Sequence, residues 1–453
     1  MQESVIPVAA AVAGHDQTLR RSLHYWDLIV YGLAYIAPFA PLSTLGFVWQ
    51  ASNGLIALAY VLGGICMYFT AKSYAVMTES IPSAGSVYGF ARQSLGRFAG
   101  FIAGWMILLD YLLIPAFVYV LVAVAFGQLV PGVGRATWIL VLSGFTLVVN
   151  WFGVTVTTRA NFVAVGVQVV LLVLFLILGV VALHHGFGTG GLTLRPFYDH
   201  SLYSAGNVFS ATSICVMSFL GFDAISTLSE EVEGHDRRVV SRAIIGVLII
   251  SAAFFVLVAF VLGNLLPGVA IKDPAAATYE LAGAAVGPWA AAALAWCFAV
   301  VVGLSNALPM QVGVARVLFA MGRDRQLPHA LARVHPRYST PYVGMLVTAA
   351  ISTAVALAMR NAMDDLATIV NFGALSGFLL LHVSVIAHFG FRKGSRAWFV
   401  HWIVPALGIA VVLAVFSGMS ALATKVGLTW LAVGAVYGLV LRAQHRDELH
   451  AGL

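Results

Sequence analysis

Charge is what this sequence has least of. Only 9% of its residues are Asp, Glu, Lys or Arg, where a soluble domain carries roughly 25%. So few charges cannot cover a water-facing surface, which excludes an ordinary soluble globule. Cysteine is scarce as well: Cys66, Cys215 and Cys297 stand singly inside apolar runs. They read as buried free thiols that behave as small hydrophobes. Their spacing excludes a disulfide framework and a thiolate metal site. No convergent nucleophile and base, no metal cluster and no nucleotide-binding loop can be found. Neither an enzyme nor a bound cofactor is expected, and ATP drive would need a separate subunit.

Apolar residues are abundant instead, at 61% of the chain. About twelve runs approach the roughly 20 residues needed to cross hydrocarbon. They lie near 24–50, 54–79, 98–127, 136–153, 161–184, 206–229, 242–266, 286–318, 341–359, 366–389, 402–421 and 427–441, joined by short Gly- and Pro-rich segments. The expected fold class is an all-α membrane protein of about twelve transmembrane helices. These runs are numbered below as spans 1 to 12.

The net charge of +6 suggests nucleic acid until the basic residues are placed. With the N-terminus inside, the outer loops hold only Arg135, Arg195, Lys272, Arg360 and Lys425, 5 of 24 Lys and Arg. That bias orients both termini to the cytoplasm. Nucleic acid is therefore not an expected partner, and membrane lipid is. Residues 1–23 contain one apolar stretch, Val5 to Gly14, without a basic start. They read as a cytoplasmic tail rather than a signal peptide.

Two spans are interrupted. Span 1 runs through Tyr35-Ile36-Ala37-Pro38-Phe39-Ala40-Pro41, and each proline removes a helix donor and clashes with the preceding turn. Span 6 runs through Ser218-Phe219-Leu220-Gly221-Phe222-Asp223, a glycine beside an acid at membrane depth. Residues 36–39 and 218–222 are expected to be non-helical. The breaks are five spans apart, as in a five-plus-five inverted repeat, and paired broken helices point to a transporter site. The expected division is 24–184 for the first repeat, 206–390 for the second, and 391–453 for two extra helices and a C-terminal tail. A channel would want a continuous polar pore lining, which the pair of breaks argues against.

Several strings carry a resemblance. Residues 82–91 read PSAGSVYGFA and 221–231 read GFDAISTLSEE; Arg316, MGRD at 321–324, Leu327-Pro328, His335-Pro336 and Thr340-Pro341 follow. Together they resemble the amino acid–polyamine–organocation superfamily over nearly the whole chain. The strings LLDYLLIP at 108–115 and NFGAL at 371–375 look most like its bacterial putrescine importer branch. The resemblance implies the leucine-transporter-type fold, a bacterial inner membrane location, and alternating-access transport of a small organic amine or amino acid. It implies a monomer or weak homo-oligomer. The chain departs from that branch's pattern at Ser43, where an acid is usual, at Val118, where Asn is usual, and at Ala123, where Lys is usual. The pocket side of spans 1 and 3 is less polar for it.

The candidate substrate-binding residues are Tyr35, Ile36, Ala37, Pro38 and Ser43 in span 1, and Asp110 and Tyr119 in span 3. Span 6 adds Ser218, Phe219, Gly221, Phe222 and Asp223. An intramembrane acid costs at least about 2.5–3.5 kcal/mol when charged, so each needs a reason. Asp223 reads equally as a partner for a substrate ammonium and as a cap on the unwound segment. Asp110 resembles a carboxylate that the superfamily places at the same point. Asp110 and Asp223 are the candidate proton carriers. Span 8 offers Ser305 and Asn306 without paired Ser or Thr hydroxyls, and span 5 has no Lys, which favours protons or exchange over sodium. Lys72 reads as snorkelling to the inner interface. His382 and His388 read as hydrogen-bonded to neighbours, and Trp26, Trp49 and Trp105 as interface or packing residues. Glu230 and Glu231, near Arg237 and Arg238, read as a solvated helix end or a gate.

Overall fold

Pro38 determines how the first span is divided. In the computed structural model, which describes residues 24–81, 86–152, 158–228, 232, 238–323, 325–338 and 340–451, helix α1 (Tyr25–Ile36) stops at Ala37. Ala37 has φ +61°, a left-handed conformation that L-residues seldom adopt; the proline ring bars it from the ordinary helical region. The chain resumes as α2 (Ala40–Ser43) and α3 (Leu45–Ala51), bent by 58° between Ser43 and Leu45. Ile36 was expected outside the helix but closes its last turn, so the break is Ala37 to Phe39.

The chain continues as α4 (Ile56–Ser80), α5 (Ser86–Leu95), α6 (Arg97–Leu129), α7 (Arg135–Trp151), α8 (Thr158–His184) and α9 (Ala205–Cys215). Span 6 then tightens into two three-residue-per-turn pieces, Val216–Phe219 and Phe222–Leu228, separated by Leu220 and Gly221. The non-helical part is thus shorter than the 218–222 that the sequence suggests. After it come α10 (Arg238–Leu265), α11 (Ala277–Ala285), α12 (Pro288–Trp296), a wide turn at Cys297–Val302, and α13 (Gly303–Arg323). The last helices are α14 (Tyr342–Ala358), α15 (Met363–Val385), α16 (Val404–Ser417) and α17 (Ala421–Ala451). Among the described residues no strand forms. Among the described residues nine helices are long and apolar enough to cross a membrane, and the bent pair in span 1 makes ten. Spans 4 and 9 are apolar helices of 17 residues each.

Helix α6 is the centre of the bundle: 83% of its apolar window is buried, against 17% for α17. The exposed faces of α8, α16 and α17 are therefore the lipid-facing ones. Small residues let α17 approach the core. Cβ atoms added at Gly427, Gly434 and Gly438 would lie 2.1 Å from Phe372, 2.2 Å from Trp105 and 2.7 Å from Phe101. Trp105 and Trp430 stack at 4.6 Å, each donating its indole N–H to the other's carbonyl at 2.8 Å. Trp105 and Trp49 are packing residues as expected, while Trp26 is exposed. All three cysteines are buried free thiols.

One end of the bundle is closed by the segment before α11. Thr278 donates to the Leu42 carbonyl at 2.6 Å, and Gly46 packs on the Pro274 backbone. Arg135, at the start of α7, pairs with Asp273 and donates to the Arg360 carbonyl at 3.2 Å. In the loop after α8, Asp199 accepts from the Ser201 N–H and hydroxyl at 2.9 and 2.6 Å. Those bonds, with Arg195 nearby, hold its carboxyl below the usual carboxylate range.

Candidate functional site

The two breaks meet at Gly221. Its φ of +118° suits glycine alone. An added Cβ would lie 2.7 Å from Tyr35 Cδ1 and 3.2 Å from the Tyr35 carbonyl carbon and oxygen. The turn in span 6 therefore rests on the last turn of α1. Asp223 Oδ1 accepts from the Gly221 N–H at 3.2 Å, the short local reach that makes an acid a good cap. Of the two roles open to Asp223, the geometry shows the cap. A hydroxyl chain joins the other sides of the breaks: Ser218 Oγ to Tyr60 OH at 3.0 Å, and Tyr60 OH to Thr44 Oγ1 at 3.3 Å.

A cavity of about 60 Å³ lies against both breaks, room for about four to six water-sized spheres. Span 1 lines it with Tyr35, Ile36, Ala37, Phe39, Ala40 and Ser43, and span 6 with Met217, Ser218 and Leu220. Helix α6 supplies Ile114, Phe117, Val118 and Leu121. Span 8 supplies Phe298, Val302, Asn306 and Met310. The wall thus holds four aromatic rings, of Tyr35, Phe39, Phe117 and Phe298, and four polar side chains, of Tyr35, Ser43, Ser218 and Asn306. Among the described residues it holds no charged side chain. Phe39 and Phe298 sit 5.0 Å apart between centroids. A second cavity, of about 70 Å³, shares Tyr35, Asn306 and Met310 with the first and continues to Tyr31, Ala34, Val165 and Ser305. Tyr35, Asn306 and Met310 together stand between them.

Of the residues singled out from sequence, Tyr35, Ile36, Ala37, Ser43 and Ser218 face this cavity, and Gly221 forms the turn behind it. The others point elsewhere. Pro38 lines a separate apolar cleft with Leu33, Val165 and Phe254. Tyr119 bonds Thr146 of α7 at 3.0 Å. Phe219 packs on Gly63 and Tyr60, and Phe222 on Tyr74 and Phe378. Asp110 lies one helical turn from Ile114 on the same face of α6, outside the wall, buried, and its Oδ1 has no hydrogen-bond partner among the described residues.

Phe298, Val302 and Met310 were not anticipated from sequence. They and Asn306 form a row at four-residue spacing, one helix stripe, and that row around the lone Asn306 was the available signal.

The motif strings hold these elements in place. Asn371 Nδ2 donates to the Ser213 carbonyl at 2.6 Å, anchoring α15 beside the start of the break. Gly373 lets α15 approach α6, since its Cβ would lie 2.7 Å from the Asp110 amide nitrogen. Ser226 donates to Ser86 at 3.1 Å, and Gln326 donates to Tyr88. His382 bonds Ser73 at 2.8 Å and His388 bonds Ser80 at 3.1 Å, the structural role expected of both. Glu230, Glu231 and Arg237, like residues 82–85 and Asp324, lie outside the described residues. No group of three metal-ligating side chains occurs among those described.

Comparison with known proteins agrees with this architecture. The family model for amino acid permeases matches residues 27–439. The chain is 32% identical over 426 residues to the low-affinity putrescine importer PlaP of Escherichia coli (strain K12), covering 92% of this chain and 93% of that one. It is 27% identical to the branched-chain amino acid permease BcaP of Bacillus subtilis (strain 168), covering 98% and 97%. It is 25% identical to the methylthioribose transporter of the same organism, covering 95% of each. With the family match spanning nearly the whole chain and the broken spans meeting at one cavity, the chain belongs to the amino acid permease family and is a multi-pass membrane transporter rather than an enzyme.

Proposed function

We propose that this transporter carries a small organic amine with an apolar body, by alternating access, between the cavity at the two breaks and either side of the membrane. It resides in the bacterial inner membrane with both termini cytoplasmic, works as a monomer or weak homo-oligomer, and treats residues 24–184 and 206–390 as inverted repeats. Transport is coupled to protons or to exchange, and is independent of sodium.

One observation carries the substrate class: of the backbone donors at the two breaks that would hold a carboxylate, one is removed and another is engaged. Half-helix N-termini at such breaks ordinarily attract anionic substrate groups. Here Pro38 has no N–H, and the Gly221 N–H, which the sequence alone left as an open donor, is taken by Asp223. A cation is better served. The helix C-terminal ends at Ile36 and Phe219 turn partial negative charge toward the breaks. The four rings of the wall offer cation–π contact, and Ser43, Ser218 and Asn306 offer oxygens. A relative's name includes putrescine, but no acid in the wall holds a second ammonium, so a monoamine fits better.

A second reading, a neutral apolar amino acid, is favoured by the uncharged wall and by a relative named for branched-chain amino acids. Matched pairs decide between them. In proteoliposomes, isopentylamine should inhibit uptake better than leucine, and phenethylamine better than phenylalanine. A carboxylate buried without donors costs about 1–3 kcal/mol, so the difference should be about 5- to 150-fold. Stronger inhibition by the amino acids would establish the second reading instead.

A further inference from the structure

Helices α4 and α10 pack antiparallel, and their lipid side is not flush. A cleft of about 580 Å³ runs between them, floored by Gly64 and Ala252 and walled by Ile65, Tyr68, Ile249 and Val256. An added Gly64 Cβ would sit 3.3 Å from the Ala252 Cβ, so the missing side chains are what leave the space. The wall residues Ile65 and Ile249 are 44% and 52% exposed, on the faces that meet hydrocarbon.

The cleft has a cationic end. Val61, Ile65, Tyr68 and Lys72 fall on one stripe of α4, and Arg242, Ile249, Ala253 and Val256 on one stripe of α10. Lys72 Nζ stands 5.7 Å from the Tyr68 ring centroid, at the rim of the cleft. Arg242 is exposed at the same end, and the nearby Glu79 carboxylate is engaged by the Ser241 hydroxyl. From Lys72 to Val61 the stripe is about 17 Å long by the helical rise, a little over one leaflet of a roughly 30 Å hydrocarbon core.

We propose that this cleft binds one acyl chain of an anionic phospholipid, whose phosphate pairs with Lys72 and Arg242. Length, apolarity and the position of the two cations match a lipid from the leaflet on that side. Basic residues near a membrane surface select anionic head groups. The inner end of the cleft is Tyr60, whose hydroxyl bonds both Ser218 and Thr44. A seated chain therefore packs on the residue that bridges the two breaks, and occupancy bears on the cavity behind it.

Native mass spectrometry of the full-length protein tests this, with phosphatidylglycerol or phosphatidylcholine of equal chain length added to the detergent. The wild type should retain phosphatidylglycerol about tenfold better than phosphatidylcholine. Lys72→Gln with Arg242→Gln should abolish that preference while leaving weak retention of both lipids. Ala253→Leu, which fills the cleft, should lower retention of both. Equal retention of the two lipids by the wild type, or an unchanged preference in the double variant, overturns the head-group assignment. Unchanged retention in Ala253→Leu overturns the cleft.

Discussion

Gly221→Val is expected to reduce uptake in proteoliposomes to below about a tenth of wild type at equal protein content. Two costs combine. A β-branched residue at φ +118° is strained by about 1–3 kcal/mol. Its Cβ would also enter the space of Tyr35, 2.7 Å from Cδ1, and the nearby Tyr35 carbonyl is backbone, which cannot turn aside. Either the break in span 6 straightens or Tyr35 leaves the partition between the two cavities. A loss of 1.4 kcal/mol in the transport-competent arrangement already amounts to about tenfold. Gly104→Ala is the control: the nearest neighbours of its Cβ are side-chain atoms of Tyr88 and Met321 at 3.3 to 3.8 Å, away from both breaks, so uptake should fall far less. Equal losses in both would mean that Gly221 matters for packing alone.

Asp110→Asn is expected to abolish concentrative uptake while sparing exchange. Asp110 lies on the stripe of α6 that lines the cavity, one turn away from it, so a charge change there is felt without contact with the solute. Its Oδ1 lacks a partner among the described residues, and a charge at this depth costs at least about 2.5–3.5 kcal/mol, which a bound proton cancels. With one-to-one coupling, a gradient of one pH unit supports about tenfold accumulation, since one unit is 1.36 kcal/mol. Asparagine keeps the shape and cannot load the proton. Labelled amine should then only equilibrate, while exchange against internal amine continues. Replacing sodium by potassium should change neither protein. Full pH-driven accumulation in the variant would make Asp110 structural.

Much of the fold was legible because its causes are local. Pro38 breaks span 1 by chemistry that needs no tertiary context, Pro41 sits harmlessly in the first turn of α2, and Gly221 marks the second break by its missing Cβ. What the sequence could not show is where side chains turn once the helices meet. Asp223 reads as cap or ligand in sequence, and the 3.2 Å bond to Gly221 that makes it a cap appears only once the chain is folded. Phe219 and Phe222 flank the break yet face opposite packing partners, because the tight turns around Gly221 rotate them off the cavity side. Tyr119 is polar and at the right depth, but Thr146 on the neighbouring helix takes its hydroxyl. Met217, Phe298, Val302 and Met310 escaped notice for the opposite reason: an apolar wall carries no polar mark among apolar spans. The glycine row of α17 is likewise silent in sequence, since glycines are common in membrane helices.

Counterflow is the most direct test of the central claim that the cavity at the two breaks carries an amine. Proteoliposomes loaded with unlabelled isopentylamine and diluted into a trace of the labelled compound should show a transient overshoot, without any ion gradient. Gly221→Val vesicles should show almost none. Absence of an overshoot in the wild type, or an overshoot seen with leucine but not with the amine, would contradict the account.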